Sequence, residues 1–209
     1  MGLLEGRVAI VTGAGSGIGK ATALRMSQEG AKMVVVDIVS DDGQETLATI
    51  EERGGEGIFV ETDVTKCDHV ERMVDTVKRS YGQINILHNN VGVGGSKAAH
   101  ETTEENWDRI INGCLTSVFY CCRIIIPLML KNDGGKIVNT ASVLGLVASP
   151  KQSAYCAAKG AMVLLTKQMA VDYSAQGIRI NCVCPSDIST PKHQRFFASR
   201  EDPEAVRRS

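Results

Sequence analysis

Short apolar runs rich in β-branched residues alternate along the chain with longer segments whose apolar residues recur at a helical period. Such runs are typical of strands buried on both faces, and the longer segments are typical of the helices that connect them. The predicted strands lie in RVAIVTG, KMVVVD, GIFVETD, INILHNN, KIVNTAS and RINCVCP. The predicted helices cover residues 18–29, 42–53, 67–80, 104–130 and 153–173. The fourth helix contains Pro127, where we expect a bend.

Strands that alternate with connecting helices predict an α/β fold with one parallel sheet and helices on both faces. Right-handed connections make this a doubly wound, Rossmann-like arrangement. A chain of 209 residues is the size of one domain, and we expect residues 1–209 to form it. The pattern is lost after Pro185, so we expect residues 186–209 to be a flexible substrate flap or tail.

The composition excludes several classes of protein. A formal net charge of -1 gives no sign of a surface for nucleic acid. The seven cysteines include no C-x-x-C pair and the four histidines are scattered, so we expect neither a disulfide framework nor a metal site. Free cysteines are typical of a reducing compartment. The N-terminus does not resemble a secretory signal, and no apolar run approaches the ~20 residues that cross a bilayer. We therefore expect a cytoplasmic protein without a membrane partner.

The segment VTGAGSGIGKA follows the first predicted strand and opens the first helix. Its four glycines allow a tight turn and a close approach of the backbone to a pyrophosphate. The helix that follows offers free N–H groups and the positive end of its dipole. Lys20 is followed by Ala21, so the ending of a P-loop is missing. The segment therefore predicts a dinucleotide site.

Two carboxylates follow the next two predicted strands. Asp37 ends the second strand, where a carboxylate accepts hydrogen bonds from the adenosine ribose and repels a 2′-phosphate. Ile38 follows it, and no Arg or Lys stands beside it to neutralise such a phosphate. This favours NAD over NADP. Asp63 ends the third strand and is a candidate for the adenine amino edge, with Val64 packing on the adenine ring.

The segments TGAGSGIG and HNNVG, together with Ser142, Tyr155 and Lys159, resemble the short-chain dehydrogenase/reductase family over about residues 6–191. The glycine spacing after Thr12 is typical of that family. The resemblance implies that the diphosphate is bound by Gly13, Ser16, Gly17, Ile18 and Gly19. It implies further cofactor contacts from Asn90, Gly92, Tyr155, Lys159, Pro185, Ile188 and Thr190.

Tyr155 and Lys159 lie four positions apart in SAYCAAK, a spacing that places both side chains on one face of a helix. The resemblance makes Tyr155 the acid and base, Lys159 its partner, and Ser142 the residue that hydrogen-bonds the substrate oxygen. A free phenol has a pKa of about 10. We expect the lysine amine and the positive ring of oxidised NAD to lower this pKa by about 1–3 units.

The chain departs from the family pattern at several positions. In WDRIINGCLTSVF, Cys114 stands where the family has an asparagine that shapes a helix distortion and holds a water, so we expect a slower or pH-shifted proton relay. Gly113 still permits the distortion. Val91 replaces an alanine, a small change in volume. Ser186 replaces a glycine. If the turn requires a positive φ, this serine destabilises it by about 1 kcal/mol. Relatives also continue a few dozen residues past Pro191, so we expect a shortened chain or a portion of a longer one.

Together these residues predict an NAD-dependent oxidoreductase that interconverts a secondary alcohol and a ketone by hydride transfer. Two alternatives stay open: a 3-oxoacyl reductase-like enzyme, which would normally use NADPH, and a dinucleotide-binding scaffold with little catalysis. The expected partner is a small-molecule alcohol or ketone. Apolar residues on the two long helices favour a homodimer or homotetramer, as the family commonly forms.

Overall fold

The computed structural model describes residues 2–132 and 134–189 of the chain. Strands and helices alternate along it as the apolar pattern predicts. The strands are β1 (Val8–Thr12), β2 (Lys32–Asp37), β3 (Gly57–Glu61), β4 (Ile86–Asn89), β5 (Gly135–Thr140) and β6 (Ile178–Val183). The helices are α1 (Gly17–Gln28), α2 (Ser40–Glu52), α3 (Cys67–Tyr81), α4 (Glu104–Ile111), α5 (Ser117–Lys131) and α6 (Ser153–Tyr173). A π-helical turn, Asn112–Thr116, joins α4 to α5.

These six strands run parallel in one sheet of order β3-β2-β1-β4-β5-β6. From β1 the chain moves outward to β3, and it then returns to place β4 on the other side of β1. This reversal leaves a crevice at the carboxyl ends of β1 and β4, which is where open α/β sheets bind ligands. The doubly wound α/β fold predicted from the sequence is therefore confirmed.

Side chains alternate between the two faces of the sheet along each strand, so both faces carry apolar residues, and helices cover both. Helices α1 and α2 cover one face, where Ile50 belongs to the same buried cluster as Val35. Helices α3, α5 and α6 cover the other face, where Ile125 and Met162 join Leu87 in the larger cluster. Helix α6 is thereby held against β6 and the end of β5, beside the crevice.

The long helical segment Glu104–Lys131 bears on two expectations. The chain stays helical through Pro127, and a π-helical turn lies at Asn112–Thr116, where Gly113 packs against Val93 of the loop after β4. By length and hydropathy this segment also qualifies as one that could cross a membrane, where the sequence led us to expect none. Its most apolar window is 50% buried inside the protein, and core helices meet the same criteria. The segment is therefore weak support for a membrane span.

Candidate active site

The glycine turn connects Thr12, at the end of β1, to Gly17, the first residue of α1. Gly13 has a φ of 64°, in the left-handed region that favours glycine. A Cβ on Gly19 would lie 2.0 Å from the carbonyl oxygen of Gly13, so α1 can pack this closely on the turn only without a side chain there. Ser16 is the N-cap of α1 but makes no side-chain capping bond, which leaves the first N–H groups of the helix for an anionic ligand.

The carboxylate of Asp37 is hydrogen-bonded to this turn. Its Oδ2 accepts a hydrogen bond of 2.8 Å from the backbone N–H of Gly15, and its Oδ1 accepts one of 3.0 Å from the N–H of Val39. A Cβ on Gly15 would lie 2.9 Å from Oδ2, so glycine is required for this approach. Each carboxylate oxygen accepts more than one hydrogen bond, so the group keeps capacity for hydroxyl donors.

Asn90 ties the end of β4 to the same turn. Its backbone N–H donates to the hydroxyl of Thr12 at 3.0 Å, and its side-chain amide donates to the carbonyl of Gly13 at 3.3 Å. The residue that follows β4 therefore also holds the glycine turn in place. The structure brings Asn90, Asp37 and the glycines together at the crevice.

Asp63 and Val64, the two residues predicted to contact the adenine, lie in different surroundings. The Oδ1 of Asp63 accepts hydrogen bonds from the N–H and the hydroxyl of Thr65, at 2.9 and 2.6 Å, so this carboxylate shapes the turn before α3. Asp63 also lines a cavity of about 510 Å³ together with Ile38, His69 and Arg72. Val64 is 4% exposed and belongs to the core under the sheet. The structure thus puts Asp63 at a cavity and Val64 mainly in the core.

Ser142, Tyr155 and Lys159 meet where β5 ends against the first turns of α6. The amine of Lys159 is buried, donates a hydrogen bond of 2.7 Å to the carbonyl of Thr140, and lies 5.7 Å from the centre of the Tyr155 ring. Ser142 stands two residues beyond Thr140, and its hydroxyl is close enough to the phenol of Tyr155 to lower the pKa of that phenol. A Cβ on Gly92 would lie 3.5 Å from the lysine Nζ, so the loop after β4 closes the cluster.

The pKa of the Tyr155 phenol in the protein without a bound cofactor differs from its ordinary value. Burial raises the pKa of the Tyr155 phenol above its ordinary value of 10, and the neighbouring Cys114 raises this pKa further. The nearby hydroxyl of Ser142 lowers the pKa, because it favours the phenolate, but burial outweighs it. In the protein by itself the phenol therefore holds its proton at neutral pH. The expectation of a lowered pKa also counted the charge of a bound nicotinamide.

Cys114 forms two hydrogen bonds with the loop that follows β4. Its thiol donates to the carbonyl of Val93 and accepts from the N–H of Val93, both at 3.3 Å. It lies in the π-helical turn, fully buried, next to Gly113. A Cβ on Gly113 would lie 2.6 Å from a methyl of Val93, so the glycine permits the close approach. The helix distortion expected at Gly113 is present, with cysteine in place of the family's asparagine.

The N-terminus of α6 is capped by a distant residue that the sequence did not predict. The backbone N–H groups of Ala154 and Tyr155 donate to the hydroxyl of Ser96, at 3.1 and 3.4 Å. The hydroxyl of Ser153 donates to the carbonyl of Lys97 at 2.7 Å. The loop after β4 therefore fixes the start of the helix that carries Tyr155. No local signal predicts this, because the capping serine precedes Ala154 by 58 residues.

The segment after β6 closes one side of the cluster. The carbonyl of Pro185 accepts a hydrogen bond of 2.9 Å from the N–H of Val143, which holds this segment beside β5. Ile188 is 45% exposed, and Thr190 lies outside the described residues, as does most of the predicted flap. Among residues 2–132 and 134–189 the one non-glycine residue with a positive φ is Lys151, so the strain considered for Ser186 does not arise.

The described part of the chain contains no group of three His, Cys, Asp or Glu side chains arranged to hold a metal ion. All seven cysteines are free thiols. Burial raises the pKa of Cys121 and raises that of Cys122 to about 12, so both are protonated at neutral pH. The polar chemistry of the crevice therefore comes from hydroxyl, amine, amide and carboxylate groups.

Comparison with protein families matches residues 7–201 to the family described as short chain dehydrogenase. A 3β-hydroxysteroid dehydrogenase of Mediterraneibacter gnavus is 40% identical over 199 residues, which cover 95% of this chain and 72% of that relative. A meso-2,3-butanediol dehydrogenase of Serratia marcescens is 40% identical over 186 residues, or 89% of this chain and 73% of the relative. A solved 7α-hydroxysteroid dehydrogenase, complexed with NADH and 7-oxo glycochenodeoxycholic acid, superposes with a TM-score of 0.89 at 31% identity, over 92% of this chain and 75% of that one.

Proposed function

Because the chain belongs to the short-chain dehydrogenase family, whose members are oxidoreductases, we propose that it is an NAD-dependent enzyme that interconverts a secondary alcohol and a ketone by hydride transfer. The observation that carries this proposal is the buried cluster in which the hydroxyl of Ser142, the phenol of Tyr155 and the amine of Lys159 meet beside the crevice. A scaffold that only binds a dinucleotide has no need of such a cluster. Proton-transfer groups of this kind are typical of a catalytic site.

The proposed cofactor fits the residues at the crevice. The glycine turn leaves backbone room that a Cβ on Gly15 or Gly19 would fill, and α1 offers its N-terminus to a pyrophosphate. When bound, NAD supplies the acceptor or donor of the hydride. The carboxylate of Asp37 supports NAD over NADP, because it accepts hydrogen bonds from ribose hydroxyls and repels a 2′-phosphate. Ile38 and Val39, which follow it, carry no charge to offset that repulsion.

The chain's own residues divide the proton chemistry. In ketone reduction, Tyr155 donates its proton to the substrate oxygen, and the raised pKa of its phenol keeps that proton in place at neutral pH. In alcohol oxidation the phenol must first lose this proton, and the nearby amine of Lys159 stabilises the phenolate. Ser142 donates a hydrogen bond to the substrate oxygen as negative charge develops on it.

The test is a panel of secondary alcohols, with NAD⁺ and NADP⁺ in parallel, read by the absorbance of the reduced cofactor. The names of the similar proteins make hydroxysteroids and vicinal diols the first compounds to try. An acetoacetyl thioester with NADPH covers the 3-oxoacyl reductase alternative. We expect turnover of a secondary alcohol with NAD⁺ and loss of it in Ser142→Ala. Calorimetric binding of NAD without turnover of any compound would favour the scaffold.

The same proposal includes a homo-oligomer. Apolar side chains on α5 and α6 are exposed, including Phe119 (47%), Leu164 (69%) and Val171 (76%). An interface between copies of the chain would remove this area from water. Light scattering after size exclusion should give a dimer or tetramer mass, and Leu164→Glu should shift it toward the monomer. A monomer mass for the unchanged protein would refute this part.

A further inference from the structure

His88 is a buried histidine in the middle of the sheet. It lies on β4, in register with Val11 of β1 and Val138 of β5, and is 4% exposed. Burial lowers the pKa of its imidazole to about 4, so the ring is neutral at neutral pH. An uncharged ring at this pH acts through hydrogen bonds or through its shape, and not through charge.

One ring nitrogen of His88 has a partner and the other has none. Nε2 lies 2.8 Å from the hydroxyl oxygen of Thr140, and Nδ1 has no hydrogen-bond partner among the described residues. A buried polar atom without a partner destabilises the fold, and aliphatic residues are typical of parallel strands covered on both faces. Stability alone therefore does not explain why a histidine occupies this position. The hydrogen bond between Nε2 and the hydroxyl of Thr140 suggests a role in holding Thr140.

Thr140 is held from two sides. Its hydroxyl contacts His88, and its carbonyl accepts the hydrogen bond of 2.7 Å from the amine of Lys159. Thr140 is the last residue of β5, and Ser142 follows two positions later. The side chain of His88 lies on the face of the sheet opposite Leu87, while α6 packs on the face that Leu87 shares. The two hydrogen bonds therefore restrain Thr140 from opposite faces.

From this geometry we propose that His88 is a positioning residue for Lys159. By fixing the side chain of Thr140, the imidazole fixes the orientation of the carbonyl to which the amine is bound. The amine is in turn kept beside the ring of Tyr155. The effect on catalysis rests on the proposed function, but the effect on the position of Lys159 does not.

The first measurement needs no substrate. In protein labelled with ¹⁵N-lysine, the Nζ resonance of Lys159 is assigned by its absence in Lys159→Met. We expect His88→Leu and Thr140→Val each to shift or broaden this resonance, because each removes the bond between imidazole and hydroxyl. His88→Gln should keep it near its original position, since the glutamine amide reaches the place of Nε2. An unchanged resonance in both His88→Leu and Thr140→Val would overturn the proposal.

The second measurement uses turnover. We expect His88→Leu to lower kcat about 2- to 10-fold, as for a lost hydrogen bond, with little change in KM for the cofactor. His88→Leu combined with Thr140→Val should lower kcat no further than either change alone, and His88→Gln should restore it. Thr166→Val is the control, because this buried threonine accepts a hydrogen bond from Asn139 and does not hydrogen-bond His88 or the carbonyl of Thr140. It should lower stability and leave the resonance of Lys159 in place, and a shift equal to that in His88→Leu would refute a specific role for His88. If the unchanged protein turns over no compound, the proposed function fails while the resonance still decides the role of His88.

Discussion

The amine of Lys159 lies 5.7 Å from the centre of the Tyr155 ring, one turn further along α6. Lys159 is 2% exposed, and its amine donates to the carbonyl at the end of β5, so the sheet sets the position of the amine. Burial meanwhile raises the pKa of the phenol. The two groups thus share one desolvated pocket, in which a charge on either stabilises the opposite charge on the other.

Replacement of Tyr155 by phenylalanine tests the proton-transfer role directly. Tyr155→Phe keeps the ring and removes the hydroxyl, so we expect kcat to fall about 10²- to 10⁴-fold, the range for a lost general acid or base. Cofactor affinity, measured by calorimetry, should change by less than about 10-fold. Tyr173→Phe, at the far end of the same helix, is the matched control and should leave kcat unchanged. Full activity in Tyr155→Phe would remove this residue from the chemistry.

The fold was predictable because its signals are local in the chain. Each predicted strand overlaps an observed one, since β-branched apolar runs such as VAIVT leave little alternative to a buried strand. The glycine turn and the carboxylate of Asp37 were also predictable as neighbours, since strands β1 and β2 end at the same edge of the sheet. The four-residue spacing of Tyr155 and Lys159 placed both on one helix face.

The parts that were missed depend on contacts distant in sequence. The family resemblance predicted the helix distortion, but no periodicity in the helix reveals the two bonds between Cys114 and Val93 that accompany it. The cap that Ser96 provides for α6 is equally distant. The sequence also does not show that His88 is buried with one ring nitrogen that has no partner among the described residues. The raised pKa of Tyr155 follows from burial, which a sequence pattern does not measure.

The choice between NAD and NADP should turn on Asp37. Asp37→Ala with Ile38→Arg removes the carboxylate that repels a 2′-phosphate and adds a guanidinium that binds one. We expect the ratio of kcat/KM for NADP⁺ to that for NAD⁺ to rise at least about 10-fold, the scale of one charged hydrogen bond. Asp41→Ala, an exposed aspartate in the first turn of α2, is the control and should not move the ratio. A ratio unchanged in the double variant would show that Asp37 does not select the cofactor.

Cys114→Asn should speed the reaction. The asparagine amide is a stronger donor and acceptor than a thiol, so it can keep both bonds to Val93 and support the proton relay. We expect kcat to rise about 2- to 10-fold, the scale of one improved hydrogen bond. Cys114→Ala should instead lower the free energy of unfolding by about 1–3 kcal/mol, because it leaves the backbone groups of Val93 without partners. Cys121→Ala, another buried thiol, should not change kcat, and an equal rise in kcat there would contradict the assignment.

Stability should fall at alkaline pH because of a buried thiol. Burial raises the pKa of Cys122 from 9.0 to about 12 in the folded protein, so the unfolded chain releases this proton first as the pH rises. The stabilisation is fully present below pH 9 and is lost between about pH 9 and 12, at a slope of up to about 1.4 kcal/mol per pH unit. Denaturant titrations across this range should show a shallower decline in Cys122→Ala than in the unchanged protein. Val118→Ala, a non-titrating neighbour in the core, should lower the free energy of unfolding by the same amount at every pH. Parallel declines in all three proteins would show that the thiol of Cys122 is not the source.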